Sequence, residues 1–403
     1  MISRYIFHID VNSAFLSWEA CHRLSLDKNA PDIRNIPAVV GGDINNRHGV
    51  VVAKSAPAKA LGITTGEPIV HALKKCPTLL LCRTDFSIYR KYSDAFIAIL
   101  RQYTNLVEQF SIDEAWCDVT ELVNSREEAI SLADTIKNRI RNELNFTVNI
   151  GISSNKVLSK MASDFTKPDR LHTLFPDEIE KKMWNLPVRD LFFVGKQTES
   201  KLKNIGITTI GELAHSDPKL IVRLLKKHGA LLYEYANGID PSPVKSEKEK
   251  PKGYGNSTTV PFDVTDMDTA ALIIKELSES VSRRLKKDSA KAMCISVTIR
   301  DTDFCDTSKQ RTLSASTDAF DEIYDTAISL LSELWDKITP LRLLGVATSH
   351  IIYDEPLQYS IFDYSEQDFI KQEKLSKALD SIKTKYGENA VTRGSNFKKA
   401  DKQ

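Results

Sequence analysis

Between residues 240 and 255 the chain reads DPSPVKSEKEKPKGYG, a run of Pro, Lys and Glu with no apolar period. Proline fixes φ and withholds a backbone donor, and side chains with no apolar stripe have nothing to bury, so the run predicts an extended linker. It divides the 403 residues into two blocks that must each build a core of their own. At about 100–200 residues per domain, two to four domains are expected.

Before the linker, strands and helices alternate irregularly. Residues 5–11 (YIFHIDV) predict a buried strand with Ile6, His8 and Asp10 on one face. Short strands are expected at 38–41 and 50–53, and a helix over 87–103. LVEQFSIDEAWCDVT reads as two β-rich runs about a tight acidic turn, a hairpin. A helix from Ala129 to Leu144, the strand TVNIGIS and the helix NKVLSKMASDF complete an α+β unit over 1–168. Residues 177–238 read instead as a succession of short helices. FFVGKQTESKLKNIGI fits a helix-hairpin-helix, whose glycine turn offers N–H groups to a phosphate, or a plain helix connection.

After the linker the order is strand, helix, strand, strand, helix, strand, with helices over about 268–287 and 318–337. In AMCISVTIRD, Met293, Ile295, Val297 and Ile299 are expected in the core, with Ser296, Thr298 and Arg300 on an open face. That face suits a DNA backbone or is simply solvated. The tail over 354–403 shows helical periodicity from Phe369 to Ile382 and ends basic and polar.

Composition excludes little more. Hydrophobic residues make up 41%, enough for real cores. No run reaches the roughly 18 apolar residues of a membrane span. His8, Asp10 and Asn12 interrupt the apolar N-terminus and no small-residue cleavage site follows, so no signal peptide is expected. Six cysteines form no CxxC pair, which fits reduced thiols in a cytosolic protein. A net charge of +1 leaves nucleic-acid binding to the distribution of charge.

Nucleotidyl transfer to a sugar hydroxyl calls for deprotonation of the hydroxyl and neutralisation of pyrophosphate, work suited to two Mg²⁺ ions about 3.5–4 Å apart. Hard cations need oxygen ligands held at strand ends or turns. Asp10 ends a strand, and Asp113 and Glu114 lie at the hairpin. Neighbouring strand residues point to opposite faces, so both serve one site only if the hairpin bends there. Taken singly, each carboxylate is better explained by a solvated surface position.

HIDVNSAFLSWE, FSIDEAWCDVT, GISSNKVLSKMASDFTKPD and VGKQTESKLKNIGI stand in the order and spacing of the Y-family DNA polymerases, and the chain resembles the bacterial DinB/UmuC group (the polymerase IV and V type) over nearly its whole length. The resemblance implies an α+β multidomain, right-hand polymerase. Its palm would comprise 1–33 and 78–168, small fingers 34–77, a helical thumb with the helix-hairpin-helix 169–240, a linker 241–254, a βαββαβ little finger 255–353 and a tail 354–403. It implies low-fidelity lesion-bypass synthesis with two Mg²⁺ ions. Asp10 and Asp113 would bridge the ions, Glu114 would serve the ion beside the primer end, and the Val11 carbonyl would complete the nucleotide-side ion. Phe15 falls at the steric gate against a ribose 2′-hydroxyl, with core packing as the other reading. Lys167 matches the triphosphate-binding lysine. Lys156 and Lys160, one helical turn apart, are phosphate contacts or exposed lysines, and Ser111 would lie near the primer end.

Two departures stand out. In VVAKSAPAKALGITTGEP, Ala56 and Lys59 replace the family's Tyr and Arg, a pattern closer to the polymerase V side, and Lys cannot make a bidentate grip. Ala14 stands where relatives often carry an aromatic residue. In the tail, Gln358, Ile361 and Phe362 within QYSIF resemble a sliding-clamp peptide, or else pack on their own domain. Implied partners are primer–template DNA, dNTPs and the clamp, in the bacterial cytoplasm at the nucleoid and as a monomer. An accessory subunit stays open. A non-catalytic DNA- and clamp-binding adaptor is the alternative, disfavoured because all three acidic positions are present. A nucleotidyl cyclase would need neither thumb nor polar-faced C-terminal module.

Overall fold

The computed structural model describes residues 4–42, 49–247 and 249–353, together with 378, 382 and 385. The expected clamp peptide at 358–362 and most of the tail lie outside the described residues.

The chain opens with β1 (Ile6–Val11), buried along its whole length, followed by α1 (Ala14–Leu26). A small unit follows: β2 (Ala38–Gly41), β3 (Val51–Lys54), α2 (Ala56–Ala60), α3 (Ile69–Lys75) and β4 (Leu80–Arg83). Its three strands take the order β3-β2-β4 over a core that includes Val39, Val51, Ile63 and Ile69. The chain returns through α4 (Phe86–Arg101), the hairpin β5 (Val107–Gln109) and β6 (Glu114–Asp118), α5 (Arg126–Leu144), β7 (Val148–Ser153), α6 (Lys156–Ser163) and β8 (Leu171–Thr173).

These strands form one sheet in the order β5-β6-β1-β7-β8. The alternation along β1 gives it two different faces. Phe7, Ile9 and Val11 join the large core, with Trp18, Phe96 and Ile136 from α1, α4 and α5. Ile6, His8 and Asp10 point the other way, as their spacing predicts. Across the ladder Asp10 pairs with Glu114 and His8 with Trp116, so the polar pair shares that second face. Helix α6 covers it. Asn155 caps α6 by accepting from Leu158 N at 2.9 Å, and its amide donates to Gly238 O at 2.8 Å, tying the helix start to the helical unit.

That unit comprises α7 (Ile179–Lys182), α8 (Lys196–Lys203), α9 (Ile210–Ala214), α10 (Pro218–Leu225) and α11 (Lys227–Ala236). Its core of Met183, Val188, Leu202, Leu213 and Leu232 is completed by Val157, Leu158 and Met161 of α6. One helix thus belongs to two cores, which fixes the helical unit against the sheet. The linker is extended but anchored: Val244 packs with Ile6 and Trp116, and Lys245 N donates to Glu108 Oε2 at 2.8 Å.

The C-terminal unit is βαββαβ as expected: β9 (Gly253–Val264), α12 (Met267–Lys287), β10 (Ala290–Asp301), β11 (Asp306–Thr317), α13 (Phe320–Leu334) and β12 (Leu341–Tyr353). The sheet order is β11-β10-β12-β9. Three details differ from the sequence expectation. Strand β9 begins at Gly253, inside the stretch assigned to the linker. Met293 is not in the core, because a register shift between Ala292 and Cys294 turns Ala290 and Ala292 inward instead. Helix α13 ends at Leu334, where Trp335 Nε1 donates to Thr339 O at 2.7 Å in a turn. On the open face, Arg300 is held by Asp306 at 2.6 and 2.8 Å, so part of the expected positive charge is neutralised within the sheet. All six cysteines are free. Among the described residues no helix is long and apolar enough to cross a membrane.

Candidate active site

Asp10 is the second-last residue of β1 and is buried. The sequence left open how Asp113 and Glu114 could serve one place. Glu114 is the first residue of β6 and lies opposite Asp10, whereas Asp113 is still in the turn. The turn is closed by Phe110 N and Ser111 N donating to Glu114 O, at 3.0 and 3.3 Å, and is tied to α4 by Ser93 Oγ donating to Ile112 O at 2.5 Å. Val11 N donates to Asp113 O at 3.0 Å, drawing the turn onto the end of β1. Ser111 Oγ donates to Asp113 Oδ1 at 2.5 Å and accepts from Asp113 N at 3.2 Å, so the serine predicted near the primer end orients a carboxylate.

Cations from α6 and the loop after it meet these acids. Lys160 Nζ lies 2.6 Å from Glu114 Oε2, 3.4 Å from Asp10 Oδ2 and 3.3 Å from Asp164 Oδ2. Lys167 Nζ lies 3.0 Å from both Asp10 Oδ2 and Asp164 Oδ1. Burial alone would lower the pKa of both lysines, but the surrounding carboxylates hold both above the usual lysine value. Lys156, expected on the same face of α6, reaches elsewhere, to Glu108 at 2.7 Å and over the Trp116 ring.

Each acid responds differently. Burial raises Glu114, but hydrogen bonding from His8 and the Lys160 charge outweigh it and bring the carboxyl down to about 2. Asp113 is raised by burial and by the charges of Asp10 and Glu114, with the Ser111 bond only partly opposing. His8 is wholly buried and lowered by desolvation; Nε2 stands 3.0 Å from Glu114 Oε2 and Nδ1 2.8 Å from Ser163 Oγ.

Sequence reasoning missed three parts of this arrangement. Asp164 holds both lysines. His8 backs Glu114. Asn12 and Asn149 pin the loop that carries Lys167: Asn149 Nδ2 donates to Thr166 O at 2.7 Å, Asn12 Nδ2 to Asn149 Oδ1 at 3.2 Å, and Asn12 Oδ1 accepts from Asp169 N at 2.9 Å. Buried amides within NSAF and TVNIGIS were the available signal, since a buried Asn must find several partners.

Phe15 is half-buried at the start of α1, against Trp18, Phe86 and Tyr89 with ring centroids 4.9–6.0 Å away. Ala14 beside it is buried. Lys59 is exposed on α2 and, among the described residues, takes no part in the ion pairs of the three acids. Ala56 is exposed at the start of the same helix.

Models of the impB/mucB/samB family match residues 9–164, its C-terminal domain 251–361 and its HHH motif 176–207. DNA polymerase IV of Clostridium acetobutylicum is 43% identical over 401 residues, all of both chains. The chain belongs to the DinB-type Y-family DNA polymerases. Another Y-family relative, DNA polymerase IV of Clostridium kluyveri, is 36% identical over 98% of this chain and 99% of its own. DNA polymerase IV 1 of Bacillus subtilis is 36% identical over 99% and 94%. A solved Y-family DNA polymerase chimera has the same fold, with a TM-score of 0.76, 24% identity and coverage of 87% of this chain and 100% of that one.

The donor set fits a hard dication. Three carboxylates meet at a strand end and a turn, with oxygen donors throughout, as Mg²⁺ requires. Among the described residues no three His, Cys, Asp or Glu side chains form a ready coordination cage, and the two lysines supply the positive charge beside Asp10 and Glu114. In Lys160→Met, Glu114 loses its lysine partner at 2.6 Å, while Asp10 keeps Lys167 at 3.0 Å. The metal-free protein should lose about 3 kcal/mol. Thermal melts should show a lowered Tm without divalent cation and a larger rise on adding Mg²⁺ than the parent shows; equal melts without cation would contradict the counter-ion role.

Proposed function

We propose that this chain is a DNA-directed DNA polymerase of the lesion-bypass kind, adding dNTPs to a primer 3′-hydroxyl with two Mg²⁺ ions. The observation that carries this reading is Asp10 and Glu114 paired on one sheet face beside Lys160 and Lys167, with Asp113 in the adjoining turn, in a chain of this family. When bound, the ions would lower the pKa of the 3′-hydroxyl and neutralise the departing pyrophosphate. Asp10, Asp113, Glu114 and the Val11 carbonyl would hold them.

The chain's own groups do the rest. With dications held by Asp10 and Glu114, Lys167 and Lys160 would be free to meet the triphosphate, and Asp164 pairs with both lysines. Ser111 keeps Asp113 turned toward the site. His8, uncharged because it is buried, props Glu114 without competing as a cation. In this reading the five-stranded sheet is the palm, the three-stranded unit the fingers, the helical unit the thumb and the βαββαβ unit the little finger, the last two gripping primer–template DNA. A fingers unit with, among the described residues, three short strands and two short helices favours a loose hold on the nascent pair and tolerance of damaged templates.

Primer extension tests the reading. The purified chain should extend an annealed primer with dNTPs and Mg²⁺ and stop when the metal is chelated. DNA binding without any extension, with or without an accessory subunit, would favour the adaptor reading. Phe15 would act as the gate, its ring held by Trp18, Phe86 and Tyr89. Phe15→Ala should then raise ribonucleotide use relative to dNTP by about a hundredfold, since removing a steric wall abolishes discrimination against an added hydroxyl; an unchanged ratio would leave Phe15 as core packing alone. The peptide with Gln358, Ile361 and Phe362 would recruit the sliding clamp. Ile361→Ala/Phe362→Ala should remove clamp-stimulated synthesis, measured on a long template, and leave unstimulated synthesis intact; equal stimulation would refute that role.

A further inference from the structure

A line of phenylalanines joins the carboxylate hairpin to the glycine turn of the helical unit. Phe110 directly precedes Ser111 in the turn that carries Asp113, and is 46% exposed. Phe193 lies two residues before Gly195, the N-terminal cap of α8, and is 49% exposed. Phe192 spans the gap, its ring 5.8 Å from Phe110 and stacked at 4.0 Å on Phe193. Tyr235 backs both, at 6.5 and 6.3 Å.

Phe193 is out of place on two counts. Its φ is 70°, the left-handed region that glycine enters freely and a bulky side chain does not. Its ring is also half in water, where burial offsets little of that strain. The neighbouring acids are engaged: Glu108 takes Lys156 Nζ at 2.7 Å and Lys245 N at 2.8 Å, and Asp240 accepts from Val157 N at 3.2 Å and Ser242 N at 3.0 Å. The surface is therefore a stripe of rings. It ends at the first turn of α8, where Gly195 provides no side-chain cap and Lys196 is exposed.

We propose that Phe110, Phe192 and Phe193 form an apolar rail for the sugar faces of the primer strand, a contact that rests on the polymerase reading above. The occupant follows from the two ends of the stripe. One end is the turn bearing Ser111 and Asp113, where the primer terminus must lie for the chemistry. The other is a glycine turn with uncapped N–H groups and a lysine, suited to a backbone phosphate. A strand joining those points lays deoxyribose rings along the phenylalanines between its phosphates. The rail adds affinity without reading sequence, which suits a polymerase that must follow any primer.

The test is fluorescence-anisotropy titration of a primer–template duplex at several salt concentrations. Phe193→Gly, which removes the ring and suits the backbone, should bind about fivefold more weakly at every salt concentration. The slope of log K against log salt should stay that of the parent, because an apolar contact releases no counter-ions. Phe193→Tyr should keep parental affinity. Lys196→Ala, by contrast, should lower the slope by about one. Parental affinity in Phe193→Gly overturns the rail. So does a reduced slope in that variant, which would mean that the turn itself had collapsed and the ring is structural. If the parent neither binds nor extends the primer–template, the polymerase reading falls and the rail with it; a parent that does both while Phe193→Gly binds equally overturns the rail alone.

Discussion

Asp113→Asn should reduce primer extension by about a thousandfold or more while leaving the fold intact or slightly firmer. The first half follows from charge. Asn is isosteric and keeps an oxygen for the Ser111 hydroxyl, so the turn retains its 2.5 Å bond. It loses the negative charge with which a carboxylate holds a hard cation, and a metal contribution of several kcal/mol to the barrier corresponds to a factor of that size. The second half follows from the sign of the pKa shift. Burial and the charges of Asp10 and Glu114 raise Asp113 above the ordinary aspartate value. A carboxyl raised on folding destabilises the native state at every pH above its folded pKa, and that cost vanishes below its unfolded value. At neutral pH without metal, deleting the charge removes the cost. Glu114 is the opposite case: lowered to about 2, it stabilises the fold above the unfolded value near 4.5, and this is lost as pH falls toward 2. Glu114→Gln should therefore melt below the parent at pH 7, where Asp113→Asn melts at or above it. Steady-state extension rates and paired thermal melts without divalent cation check both. A loss of both rate and Tm in Asp113→Asn would mean that the residue holds the turn and not the charge.

Much of this arrangement was legible because it is periodic. The two faces of β1, the inward stripe of α12 and the βαββαβ order follow from spacings of two and of three to four residues. What was not legible depends on contacts between distant elements. Nothing in the spacing of Lys160 says that its ammonium will lie 2.6 Å from Glu114, forty-six residues earlier, or that Lys156 one turn away will choose Glu108. Both follow from how α6 lies across the sheet. Adjacent carboxylates raised a real conflict under strand geometry, resolved only by the turn that leaves Asp113 outside the ladder. Met293 was misplaced because a bulge shifts the period by one, and a bulge leaves no compositional mark there. The linker was read from its many polar residues, while its attachment rests on one apolar side chain, Val244, and on a backbone hydrogen bond from Lys245 to Glu108. The resemblance proposed Asp10, Asp113, Glu114, Lys160 and Lys167 as the chemistry-bearing residues, and the structure adds the groups that contact them or their loop: His8, Asn12, Asn149 and Asp164.

The position of α6 gives the largest expected effect on stability. A Cβ built on Gly151 of β7 would stand 1.9 Å from Ser159 O, 2.4 Å from Ser163 N and 3.0 Å from the Ala162 methyl. Two of these are backbone atoms, so no rotamer change relieves the overlap, and Gly151→Ala must push α6 off the sheet. That helix carries Val157, Leu158 and Met161 into the helical unit's core, and Ser163 contacts His8. Displacing it opens both cores at once, a cost above about 4 kcal/mol. The corresponding fall in Tm is about 10 °C or more for a unit of this size, read as the first transition in calorimetry. Lys160 moves with the helix, so any protein that still folds should also lose the lysine's contact with Glu114 and with it most primer extension. A Gly151→Ala protein with parental Tm would mean that the sheet can bend away from α6, and the tight crossing would then not be what sets the lysine against the carboxylates.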